Sequence, residues 1–304
     1  MRNVFLWIFL SFIGIANISY AGNLCSGVTG QGYGTIASLF ANGSGAFGVN
    51  SANLINQREI SFSLINWLGG MYYENLFFSA PTVKINQFQI INALDFGMVS
   101  TGKYESRDNK GNFLENQDKK QFIVSSINAI KINNIAAGVN AKYVYGDNNS
   151  IVDKDLTLSG GIHYFYPLSS SFDFVSSGSI NNILANKGNE LTPFYVSGNL
   201  GFVYYRGYSS IGVGGGYSYY SFGHVAGIGG YYNGLAGITE KLTFDFTFYC
   251  SYGIILNNSV ISAGQFTGLK GGVTLGFPYF NIDYTFQNLG LAGYANSTDI
   301  RIFF

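Results

Sequence analysis

The sequence predicts an all-β protein: a transmembrane antiparallel β-barrel of about 14 strands, preceded by a segment that does not read as strand. Three observations carry this. Apolar and polar residues alternate with period two in run after run, the mark of strands with two different environments. The composition is 17% aromatic and only 11% charged, against roughly 25% charged in globular domains. Long polar connections alternate with short ones, as they do when one end of a barrel faces outward.

The N-terminus reads as an export signal over residues 1–21. Arg2 is a positive n-region, Val4 to Ile15 an apolar h-region, and Ser19-Tyr20-Ala21 a small-x-small cleavage site before Gly22. The apolar run is too short for a membrane-spanning helix. Cys25 follows Leu24, a poor fit to a lipoprotein signal, so ordinary cleavage near Gly22 is expected.

Residues 22–58 differ from everything after them. Gly22–Gly34 is glycine-rich and irregular. Ile36, Leu39 and Phe40 fall at i, i+3 and i+4, a brief helical face. Gly43-Ser-Gly-Ala-Phe-Gly48 and Val49-Asn-Ser-Ala-Asn-Leu-Ile55 follow. A simple barrel would begin its first strand within a few residues of the signal.

The barrel then occupies residues 59–304. Strands are expected to begin near Glu59, Met71, Gln87, Gln121, Asn134, Asp155, Ser171, Pro193, Ser209, Phe222, Lys241, Gln265, Tyr279 and Asn296. The rows are clearest at Leu242, Phe244, Phe246, Phe248 and Cys250, and at Phe280, Ile282, Tyr284 and Phe286. Val139, Ala141, Tyr143 and Tyr145 form another, as do Leu158, Ile162, Tyr164 and Tyr166, and Ile211, Val213, Tyr217 and Tyr219. Several rows end in Tyr or Phe, as an aromatic girdle requires. At the C-terminus Ile300, Ile302 and Phe304 face one way and Asp299, Arg301 and Phe303 the other, an apolar row that lipid would cover. A terminal Phe after such a row resembles the C-terminal signature of bacterial outer-membrane barrels.

The stretches Gly102–Lys120, Gly146–Lys154, Asn181–Thr192 and Leu256–Gly264 read as long outer connections. Turns at Ala80–Thr82, Ile132–Asn134, Pro167–Ser170 and Gly276–Pro278 read as short inner ones. A β-sandwich gives no reason for this asymmetry. Nine of the 32 charged side chains lie between Lys103 and Lys120, where a solvated outer loop keeps them from the bilayer. The Gly212–Gly234 run would either let a strand kink and open a lateral gap or make room for aromatic neighbours and barrel curvature.

Several chemistries find no support. Formal net charge is zero, which gives no electrostatic basis for binding nucleic acid. Cys250 lies on an outward row, so Cys25 and Cys250 are expected to be free thiols. His163 is expected to face the lumen, while the facing of His224 is open. Neither lies in a nucleophile motif, no Cys/His spacing suggests zinc, and the Gly212–Gly216 cluster lacks the helix of a dinucleotide site. No catalytic residue, metal or cofactor is expected.

The layout resembles the FadL-like outer-membrane proteins, and within them the PorV/PorQ-type branch. The residues that carry the resemblance are Gly45-Ala46-Phe47, Asn50-Ser51-Ala52, Ile60-Ser-Phe-Ser-Leu64, and Phe280–Phe286 followed by Gly290 and the terminal strand. Ser51 stands where that branch has Pro, so the rigid turn a proline imposes is not guaranteed. The resemblance implies that residues 22–58 fold back into the barrel as a hatch, with Phe40, Phe47, Asn50, Ser51 and Ala52 as its gate candidates. It also implies passive outer-membrane transport of hydrophobic, fatty-acid- or lipid-like small molecules. The alternative is a PorV-type accessory role in protein secretion or surface attachment, with secretion or surface proteins as partners beside outer-membrane lipid.

Overall fold

A computed structural model describes residues 33–55, 57–66, 72–100, 104–107, 113–117, 120–148, 151–183, 194–220, 223–239, 242–256, 268–288 and 294–304. The expected signal segment, Cys25 and most of the Asn181–Thr192 and Leu256–Gly264 connections lie outside these residues.

The described chain begins with three 3-10 turns, Gly34–Ile36, Gly43–Ala46 and Ser51–Asn53, and one turn of α-helix, α1 (Ala37–Phe40). Sixteen strands follow: β1 (Glu59–Asn66), β2 (Tyr72–Ile85), β3 (Phe88–Ser100), β4 (Tyr104–Arg107), β5 (Phe113–Gln117), β6 (Lys120–Ile132), β7 (Ile135–Asn148) and β8 (Ile151–Ser169). The remainder are β9 (Phe172–Asn181), β10 (Tyr195–Arg206), β11 (Ser209–Tyr220), β12 (Gly223–Thr239), β13 (Leu242–Ile255), β14 (Gly268–Gly276), β15 (Phe280–Asn288) and β16 (Tyr294–Phe303).

Fourteen of these close into one antiparallel barrel, each strand beside its neighbour in sequence, with β1 sealed to β16 from Glu59↔Phe303 to Asn66↔Asn296. The other two, β4 and β5, form a separate hairpin within the long stretch between β3 and β6. Closure removes the sheet edge and satisfies backbone hydrogen bonds within the wall, the condition for crossing a bilayer with strands. No helix among the described residues is long and apolar enough to cross a membrane.

The two faces of the wall separate as the alternation requires. Phe62, Leu76, Phe96, Val139, Ile162, Leu200, Val213 and Phe248 are all exposed on the outside. Ser61, Ser63, Asn75, Asp95, Ser125, Asn140, Thr157, Ser177, Ser197 and Thr285 are buried within. A cation at mid-bilayer on the outer face would cost roughly 2–4 kcal/mol, and the exposed strand cations Lys84, Lys120, Lys154 and Arg206 lie at or near strand ends. Cys250 is a free thiol on that outer row. The architecture is that of a bacterial outer-membrane β-barrel.

The expected strand starts match within three residues except for β8, which begins at Ile151 rather than near Asp155. Some connections differ from expectation. Ala80–Thr82 is not a turn: β2 continues to Ile85, the turn is Asn86–Gln87, and the ladder shifts register between Pro81 and Val83. Proline has no N–H to give the ladder, and a bulge accommodates it without ending the strand. Pro167 behaves alike, with β8 running on to Ser169 across a shift. Gly146–Lys154 is not a long loop, because β7 and β8 stay paired out to Asn148↔Ile151. The tight turns after β2, β6 and β10 open with Asn86, Asn133 and Gly207 at φ of 53°, 51° and 60°, the left-handed start that suits a two-residue hairpin. Across the glycine-rich stretch, β11 and β12 pair from Ser210↔Asn233 to Tyr220↔Gly223 without a register shift, so no kink interrupts this ladder. His224 lies on the outer face, its Nδ1 hydrogen-bonded to the Tyr217 hydroxyl and its ring 5.0 Å from that of Tyr219.

Candidate functional site

Residues 33–55 pack against the inner face of the wall, and the wall is cut to receive them. Gly138 of β7 and Gly161 of β8 are inward positions paired with each other. A Cβ on Gly138 would overlap the Ser51 carbonyl, and one on Gly161 the Asn50 side chain. Farther round, Leu39 Cδ1 lies 3.0 Å from where a Cβ on Gly201 would sit and 2.6 Å from one on Gly214. These inward glycines are recesses into which a second layer of chain fits, one established use of glycine in strands.

Asn50, Ser51 and Ala52 form one unit. Asn50 takes extended dihedrals (φ −149°, ψ 110°) and its Oδ1 accepts from the Ala52 N–H at 3.0 Å, an N-cap of the Ser51–Asn53 turn. Its Nδ2 donates to the Ile162 carbonyl at 3.1 Å, tying the cap to β8. Ala52 is fully buried. Asn53 Nδ2 donates to the Ser38 carbonyl at 2.8 Å and the Ala41 carbonyl at 3.0 Å, so the turn and α1 hold each other.

Phe40 and Phe47 are not brought together. Phe47 joins an apolar crescent with Leu54, Ile65, Tyr73, Phe77, Ile91, Ile123, Ile127 and Val144, on β1–β3, β6 and β7. Phe40 packs with a second cluster containing Tyr33, Ile36, Leu39, Val175, Val203 and Tyr249. There its ring meets Tyr231 edge-on at 5.1 Å, while Tyr33 stacks on Tyr249 at 4.6 Å. Aromatic pairs in such geometries contribute about 0.5–1.5 kcal/mol beyond burial.

Polar contacts complete the docking. The Ser38 and Ser177 hydroxyls are 2.7 Å apart, and Asn199 Nδ2 donates to Ser38. The Tyr195 hydroxyl donates to the Gly48 carbonyl at 2.9 Å. His163 faces inward as expected, with Nε2 3.3 Å from the Leu39 carbonyl oxygen.

One group of residues was not legible as a unit in the sequence. Glu59, Asp283, Asp299 and Arg301 are buried together on β1, β15 and β16. Arg301 grips Asp283 with two bonds, Nε–Oδ2 at 2.7 Å and Nη2–Oδ1 at 3.0 Å, the strong bidentate form. Ser44 donates its N–H to Glu59 at 3.1 Å and its hydroxyl to Asp299 at 3.3 Å, and Arg301 Nη1 reaches Asn42 Oδ1 at 3.4 Å. Gly43 adopts φ 56°, and a Cβ there would overlap the Glu59 carboxylate. The network thus fastens the Asn42–Ser44 turn to the wall beside the barrel seam. The inward facing of Asp283, Asp299 and Arg301 followed from alternation; their convergence depends on strand register, which alternation does not specify.

No family model matches the chain, and no curated protein matches it. Solved structures do match in fold. TodX, the toluene transporter of Pseudomonas putida, superposes with a TM-score of 0.56 at 10% identity, covering 91% of this chain and 96% of its own. A TodX variant described as a monoaromatic hydrocarbon channel gives 0.56 at 9% identity, covering 89% and 97%. CdiB from Acinetobacter baumannii gives 0.47 at 10% identity over 82% of this chain, which spans 60% of the CdiB length. What the chain shares with TodX is the fold of an outer-membrane barrel.

Proposed function

We propose that the chain is a FadL-like outer-membrane channel for passive movement of hydrophobic small molecules, fatty-acid- or lipid-like in kind. Residues 22–58 serve as its hatch after removal of residues 1–21, and Phe40, Phe47, Asn50, Ser51 and Ala52 hold the hatch in place. The observation that carries this reading is the docking of residues 33–55 inside the barrel through glycine recesses, a capped turn and side-chain hydrogen bonds. Such contacts, unlike a strand in the wall, are separately breakable. The apolar crescent around Phe47 and Leu54 gives an apolar solute a surface it prefers to water. The likeness to TodX, a toluene transporter, supports the same reading.

The test is uptake of an apolar solute by cells whose lipopolysaccharide layer otherwise excludes it, with ion conductance of the purified barrel measured in parallel. Full-length chain should speed apolar uptake while conducting ions poorly. Deleting residues 33–55 should raise conductance. Uptake no faster than in cells lacking the chain would remove the channel reading, and unchanged conductance on deletion would remove the hatch.

A second reading, a PorV-type accessory barrel for secretion or surface attachment, draws on the β4–β5 hairpin, which pairs apart from the barrel within the most charged stretch of the chain. A protein that copurifies with the full chain, and is lost when residues 104–117 are replaced by a short linker, would favour it.

A further inference from the structure

Between the N-terminal segment and the wall of β12–β16 the lumen is not filled. A cavity of about 480 Å³ lies there, beside the turn after β14 and the end of β16. That volume falls within the roughly 300–1,000 Å³ of small-molecule sites.

Its lining has two kinds of surface. Tyr33 and Phe40 of the N-terminal segment and Phe303, on the inward row of β16 with Arg301, supply aromatic faces. Asn42, Asp245 and Arg301 supply the polar part. The guanidinium of Arg301 is already committed to Asp283 by two bonds. Asp245 is exposed to the cavity, and among the described residues nothing donates a hydrogen bond to its carboxylate. Behind the cavity, Glu59, Asp283 and Asp299 set three carboxyl groups against that one guanidinium. A free carboxylate and aromatic faces together favour a cation. An ammonium gains from the carboxylate by Coulomb attraction and from the rings by their quadrupoles, while a carboxylate ligand meets like charge.

We propose that this cavity binds a small amphiphilic amine, its apolar body against Phe40 and Phe303 and its ammonium on Asp245. Its role as a station on a transport route rests on the channel reading; the binding itself does not. Gly276 lies in the lining, where a Cβ would come within 3.2 Å of Asn281 Oδ1 and 3.3 Å of Asp245 Cβ. A larger side chain at that position would occupy the space the ligand needs.

The experiment compares three probes of one size, 2-phenylethylamine, 2-phenylethanol and phenylacetate, by equilibrium dialysis against the full chain in detergent. The amine should bind about tenfold more tightly than phenylacetate, a difference of about 1.4 kcal/mol. Asp245→Asn should bring amine and carboxylate within about twofold of each other, since it removes the charge and keeps the shape. Gly276→Leu should abolish binding of all three, with heat-modifiable gel mobility reporting that the barrel is folded. Phenylacetate binding as tightly as the amine would overturn the proposal and assign the cavity to Arg301. An amine affinity unchanged by Asp245→Asn would overturn it too, and that variant decides alone if Gly276→Leu does not fold. Binding without cellular uptake would leave the site and remove the channel; uptake without binding would do the reverse.

Discussion

A side chain at position 138 and one at position 198 face opposite media. Gly138 points inward, and any Cβ there overlaps the Ser51 carbonyl, whereas a Cβ on Gly198 of β10 meets nothing within 4 Å. Valine at 138 therefore has to push the N-terminal segment off its seat, while valine at 198 only adds an apolar group to the outer face. Overpacking costs about 1–3 kcal/mol, enough to raise the undocked population of the segment about fivefold or more. Gly138→Val is expected to raise single-barrel ion conductance and expose residues 33–55 to protease with the barrel still folded. Gly198→Val should leave both unchanged. Equal conductance in the two variants would mean that the seat does not hold the segment. Nothing in the sequence marks Gly138 as different from the other 40 glycines; it is distinguished only by the chain that rests on it.

At the scale of one element, the Ser51–Asn53 turn explains how the chain manages without the proline that the FadL-like resemblance would place at position 51. Asn50 holds extended dihedrals and caps Ala52 with its own side chain, so the turn is fixed by a hydrogen bond instead of a ring. Ser51 is the first residue of the turn, where proline is well tolerated, and extended dihedrals at Asn50 suit a residue before proline. Ser51→Pro is accordingly expected to stabilise docking by about 0.4–1 kcal/mol through the undocked state. Asn50→Ala, which loses the cap and the bond to Ile162, should weaken it by about 1 kcal/mol. Protease protection of residues 33–55 measures both, and protection reduced by Ser51→Pro would contradict the assignment. The Asn-x-Ala motif was thus visible in the sequence, but its partners on β7 and β8 were not. Strands were legible for the opposite reason. A period of two needs only the local order of residues such as Leu242 to Cys250, whereas Pro81 and Pro167 misled because proline signals a turn and a bulge alike.

For the whole molecule, the sequence shows how many strands the wall has and which way their side chains face, but not how evenly the wall is held. β7 and β8 pair along fourteen residues from Ile135↔Tyr164 to Asn148↔Ile151. β14 and β15 pair along seven, from Lys270↔Gln287 to Gly276↔Asn281. β14 is nine residues long and four of them are glycine, which lose the most backbone freedom on ordering and offer no side chain to the neighbouring strands. Local opening draws on the elements with the fewest hydrogen bonds and packed groups. The barrel should therefore loosen first at β14–β15, on the side where the lumen holds its cavity. Amide hydrogen exchange of the full chain in lipid nanodiscs reads this directly. Residues 270–276 and 281–287 are expected to exchange about tenfold faster than residues 136–146, a difference of about 1.4 kcal/mol in opening free energy. Gly271→Ala on the outer face should narrow the gap: a Cβ there meets the Tyr249 carbonyl oxygen at 3.0 Å and Cys250 Cβ at 3.7 Å, a contact the strand end can relieve while losing a glycine. Protection of β14 equal to that of β7 would mean that lipid, not ladder length, sets the strength of the wall, and that the cavity side is no easier to open than any other.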